Sequence, residues 1–208
     1  MRIRTTFAAL LLSTACLVSL PAFAGEAEAQ SFVEQKHGKI AQLLKQPANA
    51  TRDGQVDQEL GVIIDYEELT RRIFGQCPSG VACVDNWTGL SAAQKTEMTG
   101  LFRKLVQRTY RKNLIKTLDY DVSYKGSRAT ISNESKIRTE AKSKIKPRDP
   151  SVQIDYVVRS DGGGYRIVDI VTEGSSLTTN YREQVSKMLR EHDYAYVAKK
   201  IGDKANAQ

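Results

Sequence analysis

The stretch "IVDIVTEGSSLTTNYREQV", residues 167 to 185, places Asp169 between apolar neighbours in a strand-like run that turns at Glu173-Gly174 and then becomes helical. Together with Asp155 in "SVQIDYVVR", it offers a pair of strand carboxylates, the raw material of acid–base catalysis. Alternation along the strand turns Asp155 to the face opposite Ile154 and Tyr156, which reads as an edge or surface charge. Asp169, flanked by Val168 and Ile170, reads as a buried carboxylate with a hydrogen-bond partner. His37 and His192 fall on polar stretches of helical pattern and read as surface residues. No serine sits in a nucleophile elbow, no glycine-rich loop opens a helix, and no His, Asp and Glu cluster has metal-ligand spacing. The enzyme reading therefore rests on Asp155 and Asp169 alone.

The cysteines carry the other reactive groups. The chain begins with Arg2 and Arg4, an apolar run from Phe7 to Leu20, then Pro21 and Ala22-Phe23-Ala24, the pattern of a secretory signal peptide cleaved after Ala24. Lipid attachment at Cys16 fits less well, because Ser13 stands where that signal has an aliphatic residue and the apolar run continues past the cysteine. Residues 1–24 are thus expected to be removed and residues 25–208 to form one exported domain. Removal takes Cys16 away and leaves Cys77 and Cys83, which in an oxidising compartment read as a disulfide closing "CPSGVAC". The loop is short, so such a bridge contributes only about 2 kcal/mol and shapes a loop rather than holding a domain. Their spacing is not C-x-x-C, which disfavours a redox or metal role.

These groups need elements to position them. Phe32, Ile40 and Leu43-Leu44, then Leu60, Ile63 and Ile64, recur at helical spacing, with Pro47 and Gly54 expected to break the run into short pieces. "DYEELTRRIFG" predicts a short helix started near Asp65 and stopped by Gly75. Residues 91–118 carry the clearest helix, with a Ser91/Gln94 capping box and a stripe of Met98, Phe102, Leu105, Val106, Tyr110 and Leu114. At Asp119 the period changes to two. "DYDVSYKG" and "RATIS" are expected to pair across a Gly126-Ser127 turn, "SKIRTEAKSKI" to follow, and "SVQIDYVVR" to join "YRIVDIV" through the hairpin "DGGG". The last of these is apolar on both faces, which suits a central strand, and two short helices close the chain. The fold class is α+β, with helices over one face of an antiparallel sheet of about four to five strands.

The full chain has a formal charge of +7, which loss of Arg2 and Arg4 lowers by two. For an exported protein this points to anionic lipid headgroups or acidic protein partners ahead of nucleic acid, or simply to solubility. Nine tyrosines against one tryptophan suggest amphipathic interior walls. Sheet and helices can close into a filled core or leave a cavity, and periodicity does not distinguish the two.

A resemblance does. "VQIDYVVRSDGGGYRIVDIVTEGSSLTTNYREQVSKMLREHD" resembles the MlaC family, also called toluene-tolerance auxiliary proteins, in its strand, hairpin and strand, its "D-V-x-x-E-G-V-S" segment and its "N-Y-R" helix start. "DYEELTRRIFG", Trp87 and "GLSAAQKTEMTGLFRKLVQRTY" are similar to the family's Asp-aromatic helix, Leu-Gly-x-x-Trp segment and long helix. Ser175 and Thr178 depart from its usual valine and aliphatic residue, and the stretch holding Cys77 and Cys83 is an insertion.

The resemblance implies an NTF2-like half-shell with an apolar cavity, and a periplasmic phospholipid carrier without catalysis or cofactor. The cargo is a glycerophospholipid. The partners implied are an inner-membrane ABC lipid-transport complex and an outer-membrane lipoprotein/porin complex, served by a monomer that maintains outer-membrane lipid asymmetry. Another apolar cargo, a hopanoid or an organic solvent, is the alternative, and an enzyme with a cone-shaped pocket a further one. A two-chain lipid implies a cavity near the upper end of the roughly 300 to 1,000 Å³ typical of ligand sites. The expected walls are Ile63, Leu69 and Ile73 from the early helices, and Phe102, Leu105, Val106 and Tyr110 from the long one. The strands are expected to add Tyr120, Val122, Tyr124, Ile154, Tyr156, Val158, Ile167 and Ile170, and the final helical segment Leu177, Tyr181, Val185 and Leu189. The basic group Lys136, Arg138, Lys142, Lys144, Lys146 and Arg148 either meets anionic headgroups or an acidic partner, or is a solvated strand face.

Overall fold

The computed structural model describes residues 24–75, 84–130 and 133–207. The segment up to residue 23, where a signal peptide is expected, and the pair Cys77 and Cys83 lie outside the described residues. In chain order come α1 (Ala24–Leu44), α2 (Ala50–Ile63), α3 (Tyr66–Ile73) and α4 (Ala92–Thr117). The strands β1 (Tyr120–Ala129), β2 (Glu134–Ser143), β3 (Val152–Ser160), β4 (Tyr165–Thr172) and β5 (Ser175–Ser176) follow, and α5 (Leu177–Glu191) and α6 (Tyr194–Asn206) end the chain. The strands form an antiparallel meander in the order β1-β2-β3-β4-β5. The molecule is the expected α+β half-shell.

The capping chemistry read in the sequence is present. Ser91 N donates to Gln94 Oε1 at 2.9 Å and Gln94 N donates back to Ser91 Oγ at 3.2 Å, satisfying both amides at the start of α4. Asp65 caps α3 by accepting from Glu68 N at 3.0 Å. Beyond α3, Gly75 adopts φ +91, and a Cβ there would fall 2.1 Å from the Val84 carbonyl oxygen, so only glycine fits this stop. Gly54, by contrast, does not break its helix. Asn49 caps α2, and the buried stripe Val56, Leu60 and Ile63 holds the helix through an exposed glycine.

Directly paired residues share a face, so the register fixes the sheet's inner surface. Tyr124 opposes Thr139, Thr139 opposes Ile154, Ile137 opposes Tyr156, and Tyr156 opposes Ile170. Over the β3–β4 end of this face lies a solid core, where Leu69, Ile73, Met98, Phe102, Val185, Val197 and Ile201 are buried. Arg159, near the end of β3, reaches Asp65 at 2.7 Å and Glu68 at 3.0 Å, while Arg72 bonds Glu68 at 2.9 Å and also reaches Glu134 of β2. This charged lattice fastens α3 to the sheet.

Three strand readings change. The expected Gly126-Ser127 turn is a bulge: β1 shifts register between Tyr124 and Ser127, with Gly126 at φ +108, and pairing with β2 continues to Ala129. Strand β4 is not central, since its outer neighbour β5 has two residues. Ile64–Asp65 bonds along one end of that edge and the start of α5 covers the other, so both faces are buried without a full neighbour. Asp155 is wholly buried rather than a surface charge, covered on the outer face by Lys136 at 2.9 Å, Arg138 at 3.6 Å and the Gln153 amide.

Asp169 has the partners expected of it. Its carboxylate accepts from Ile170 N at 2.8 Å, Thr178 N at 3.0 Å and Ser176 Oγ at 2.6 Å, joining β4 to the start of α5. Glu173, held at φ 50, clamps the turn by pairing with Gln153. Asp169→Ala leaves buried donors without an acceptor and should lower stability by about 2 to 4 kcal/mol in urea unfolding, with the secondary structure retained.

Candidate functional site: a cleft between the first helix and the sheet

Helix α1 crosses the inner face of β1 to β3. It buries Ala29, Val33, Ile40 and Leu44, and its first turns are tied down. Glu26 accepts from Ser127 Oγ and Ala129 N, each at 3.0 Å, and the Tyr165 hydroxyl donates to Glu28 at 2.9 Å. From the other side Glu59 of α2 holds Lys39 and, at 3.9 Å, Lys36.

Toward its C-terminal end the helix stands off from the strands. A cleft of about 350 Å³ lies between His37, Gly38, Ile40, Ala41 and Leu44 of α1 and the sheet side chains Tyr120, Val122, Tyr124, Thr139, Ala141, Ile154 and Tyr156. Leu118 completes the apolar wall, and the charged members Glu34, Lys45, Asp121 and Lys144 are all exposed, marking the rim. A tight, mainly apolar extension runs inward past His37, Ile40 and Tyr156 to Val33, Leu60, Ile63, Ile64 and Ile167, with the half-buried Lys36 at its side. An open groove of about 430 Å³ beside Trp87 is walled mainly by Glu67, Arg71, Lys95, Thr96 and Thr99, a lining unsuited to an apolar guest.

One polar pair lies among these walls. His37 Nδ1 and the Tyr124 hydroxyl are 2.7 Å apart, and the His37 ring meets the Tyr156 ring edge-on at 4.8 Å between centroids. Burial lowers the His37 pKa to about 4, and burial likewise pushes the Tyr124 phenol above its ordinary value. Both groups are therefore neutral at physiological pH, so this pair adds no charge to the cleft. Asp155 and Asp169 lie away from this lining, which removes the structural basis for using either as a base in it. Among the described residues no cluster of His, Cys, Asp and Glu could hold a metal ion.

The expected wall residues divide. Tyr120, Val122, Tyr124, Ile154 and Tyr156 line the cleft, and Ile63 and Ile167 line its extension. Leu69, Ile73, Phe102, Leu105, Val106, Val158, Ile170 and Val185 are buried in the solid core, with Leu177, Tyr181 and Leu189 half-buried against it. Tyr110 lies on α4, its side chain outside the described set. Sequence reasoning missed the whole α1 wall. His37 in particular faces inward, whereas His192 is exposed and stacks on Tyr196 at 3.8 Å. The available signal was the pair of small residues Gly38 and Ala41, adjoining the apolar stripe of Val33, Ile40 and Leu44, which makes room rather than contact.

A family model described as MlaC protein matches residues 34–203, a span that includes both walls of the cleft. The chain belongs to the MlaC family. Among solved structures, this member of the MlaC family is similar to the phospholipid-binding protein from Ralstonia solanacearum, determined in complex with a phospholipid. The TM-score is 0.70 at 19% identity, over 86% of this chain and 97% of the other, which establishes a shared fold. No functionally curated protein matches the chain.

The half-buried histidine in the cleft wall makes stability depend on pH. The native imidazole stays neutral down to about pH 4, whereas in the unfolded chain it takes up a proton below the ordinary value of 6.5. Unfolding thus binds a proton in that window, and native stability falls as pH drops through it. Between about pH 7 and about pH 4.5, His37→Leu should lose roughly 2 to 3 kcal/mol less stability than the wild type in urea titrations. Equal losses would show that His37 is solvated and charged in the native protein.

Proposed function

We propose that the protein is a carrier of glycerophospholipid that shields acyl chains in the α1–sheet cleft and leaves the headgroup at the charged rim. The observation that carries this reading is the separation of chemistry along the cleft, uncharged and largely apolar within and charged only where it meets solvent. The phospholipid held by the Ralstonia solanacearum protein supports the same reading. Two acyl chains of about 16 carbons expose some 25 kcal/mol of apolar surface at roughly 0.8 kcal/mol per CH₂, so passage through water requires such a shield. The charged side chains of the cleft lining, Glu34, Lys45, Asp121 and Lys144, stand at the exposed rim and not against the apolar interior, an arrangement that suits carriage of a lipid.

The carrier shuttles in the periplasm as a monomer, after loss of residues 1–24, with residues 25–208 as its single domain. It exchanges lipid between an inner-membrane ABC complex and an outer-membrane lipoprotein/porin complex to maintain outer-membrane asymmetry. A bridge between Cys77 and Cys83 shapes the loop after α3.

The cleft's 350 Å³ stands near the lower end of the ligand-site range, not the upper end implied by a two-chain lipid. A phospholipid therefore requires α1 to move outward or part of its chains to lie beyond the rim. The same volume favours, as a second reading, a more compact apolar cargo such as a hopanoid.

Organic extraction of protein purified from cells, followed by mass spectrometry, should yield phospholipid, and a compact cargo would appear at its own mass. Protein with no extractable cargo would overturn both readings. Ala41→Trp fills the cleft from the α1 side and should reduce extracted phospholipid at least about fivefold, with thermal unfolding changed by no more than a few degrees.

A further inference from the structure

The basic residues that form one run in the sequence separate into two sites in the fold. Lys136 and Arg138 are occupied on the outer sheet face by Asp155. Lys142, Lys144, Lys146 and Arg148 instead gather at the β2–β3 loop, where every residue from 144 to 151 is exposed. Near its start Ile145 is 68% exposed, more than any other large apolar side chain among the described residues.

That exposure is built into the loop. Lys146 N donates to Ser143 Oγ at 3.0 Å, Asp149 N donates to the Lys146 carbonyl at 3.1 Å, and Lys142 Nζ reaches the Asp149 carbonyl at 2.7 Å. On the other flank, Lys144 N donates to the Asp119 carbonyl at 2.8 Å, and Lys144 Nζ donates to the Leu118 carbonyl at 3.0 Å. The residues on either side of Ile145 are thus fixed, and its side chain is presented to solvent. Asp121 lies 3.5 Å from Lys144 and offsets it, but Lys146 and Arg148 make no salt bridge among the described residues.

The loop adjoins the cleft. Lys144 and Asp121 belong to its rim, beside Leu118 and the 38% exposed Val122. An exposed isoleucine beside Lys146 and Arg148, with Asp121 and the exposed Asp149 offsetting only part of the local positive charge, complements an anionic bilayer, whose phosphates attract the cations while the acyl boundary accepts the isoleucine.

We propose that the β2–β3 loop is a membrane-docking finger: Ile145 inserts at the acyl boundary and Lys142, Lys146 and Arg148 bind anionic headgroups, setting the cleft rim against the lipid surface. This rests on the carrier reading for its purpose, not for its chemistry. Docking at the rim lets chains pass between bilayer and cleft without crossing open water.

The test is sedimentation of the full-length mature chain with vesicles of phosphatidylcholine alone, or containing about 30% phosphatidylglycerol. The wild type should bind the anionic vesicles and release them at high salt. Ile145→Ser should weaken binding about tenfold, and Lys146→Glu with Arg148→Glu at least about 25-fold, at unchanged thermal stability. Lys187→Glu on α5 should leave binding as it is. Wild-type protein that ignores anionic vesicles, or loop variants that bind as tightly as wild type, would overturn the docking finger. An acidic protein partner is then the occupant to test. Extracted lipid separates the two proposals: loop-dependent vesicle binding by cargo-free protein supports the finger and sinks the carrier, whereas lipid-loaded protein that binds no vesicles does the reverse.

Discussion

One face of one sheet is apolar from Tyr120 to Ile170, and keeping that face from water organises the molecule. Helices α3 to α6 close its β3–β4 end as a solid core, and Phe102 meets Tyr181 edge-on there at 5.5 Å between centroids. Among the described residues the β1–β3 end is covered chiefly by α1, and α1 contributes Gly38 and Ala41 where a filled core would call for larger side chains. The cleft is what remains when a ten-residue strand pair outruns the helices available to cover it. An apolar surface left open to water on this scale carries a hydration cost that an apolar guest in the cleft would relieve.

The rest of the fold holds the two walls apart and level. Glu26 and Glu28 fix the first turns of α1 to β1 and β4, and Glu59 steadies its middle from α2. On the far side, Arg72 and Arg159 join α3 to β2 and β3 through Glu68, Asp65 and Glu134. Buried charge of this kind adds little net stability compared with well-packed apolar residues, but it specifies geometry, since a displaced partner would leave an uncompensated ion. The polar pair His37 and Tyr124 obeys the same logic inside the cleft, neutral and mutually bonded.

Much of this was legible in the sequence. The period change at Asp119 located the sheet, and the Ser91/Gln94 box located α4, because both signals are local. Tyr120, Val122, Tyr124, Ile154 and Tyr156 could be assigned to one face by alternation alone. Which part of that face is filled and which left open is decided by where helices come to rest, a tertiary fact. Phe102, Leu105 and Val185 therefore read like cleft walls and are core. The α1 wall was obscured for the opposite reason: His37, Gly38 and Ala41 are not apolar bulk, and a histidine on a polar helix stretch looks solvated until Tyr156 is placed against it. The bulge at Gly126 and the short, partial neighbour of β4 escaped because both depend on what neighbouring segments, Glu26 and Ile64, bond to.

The bulge in β1 has a further consequence. This strand is the free edge of the sheet, ten residues long, and it borders an open apolar cleft. A flat edge there would invite a second chain to add a strand and bury the cleft between copies, the start of an ordered aggregate. Gly126 breaks the ladder midway and sharpens its twist, while Asp121, Lys125 and Arg128 place exposed charges along the same edge. These features work against strand addition between copies along an edge that borders an apolar cleft.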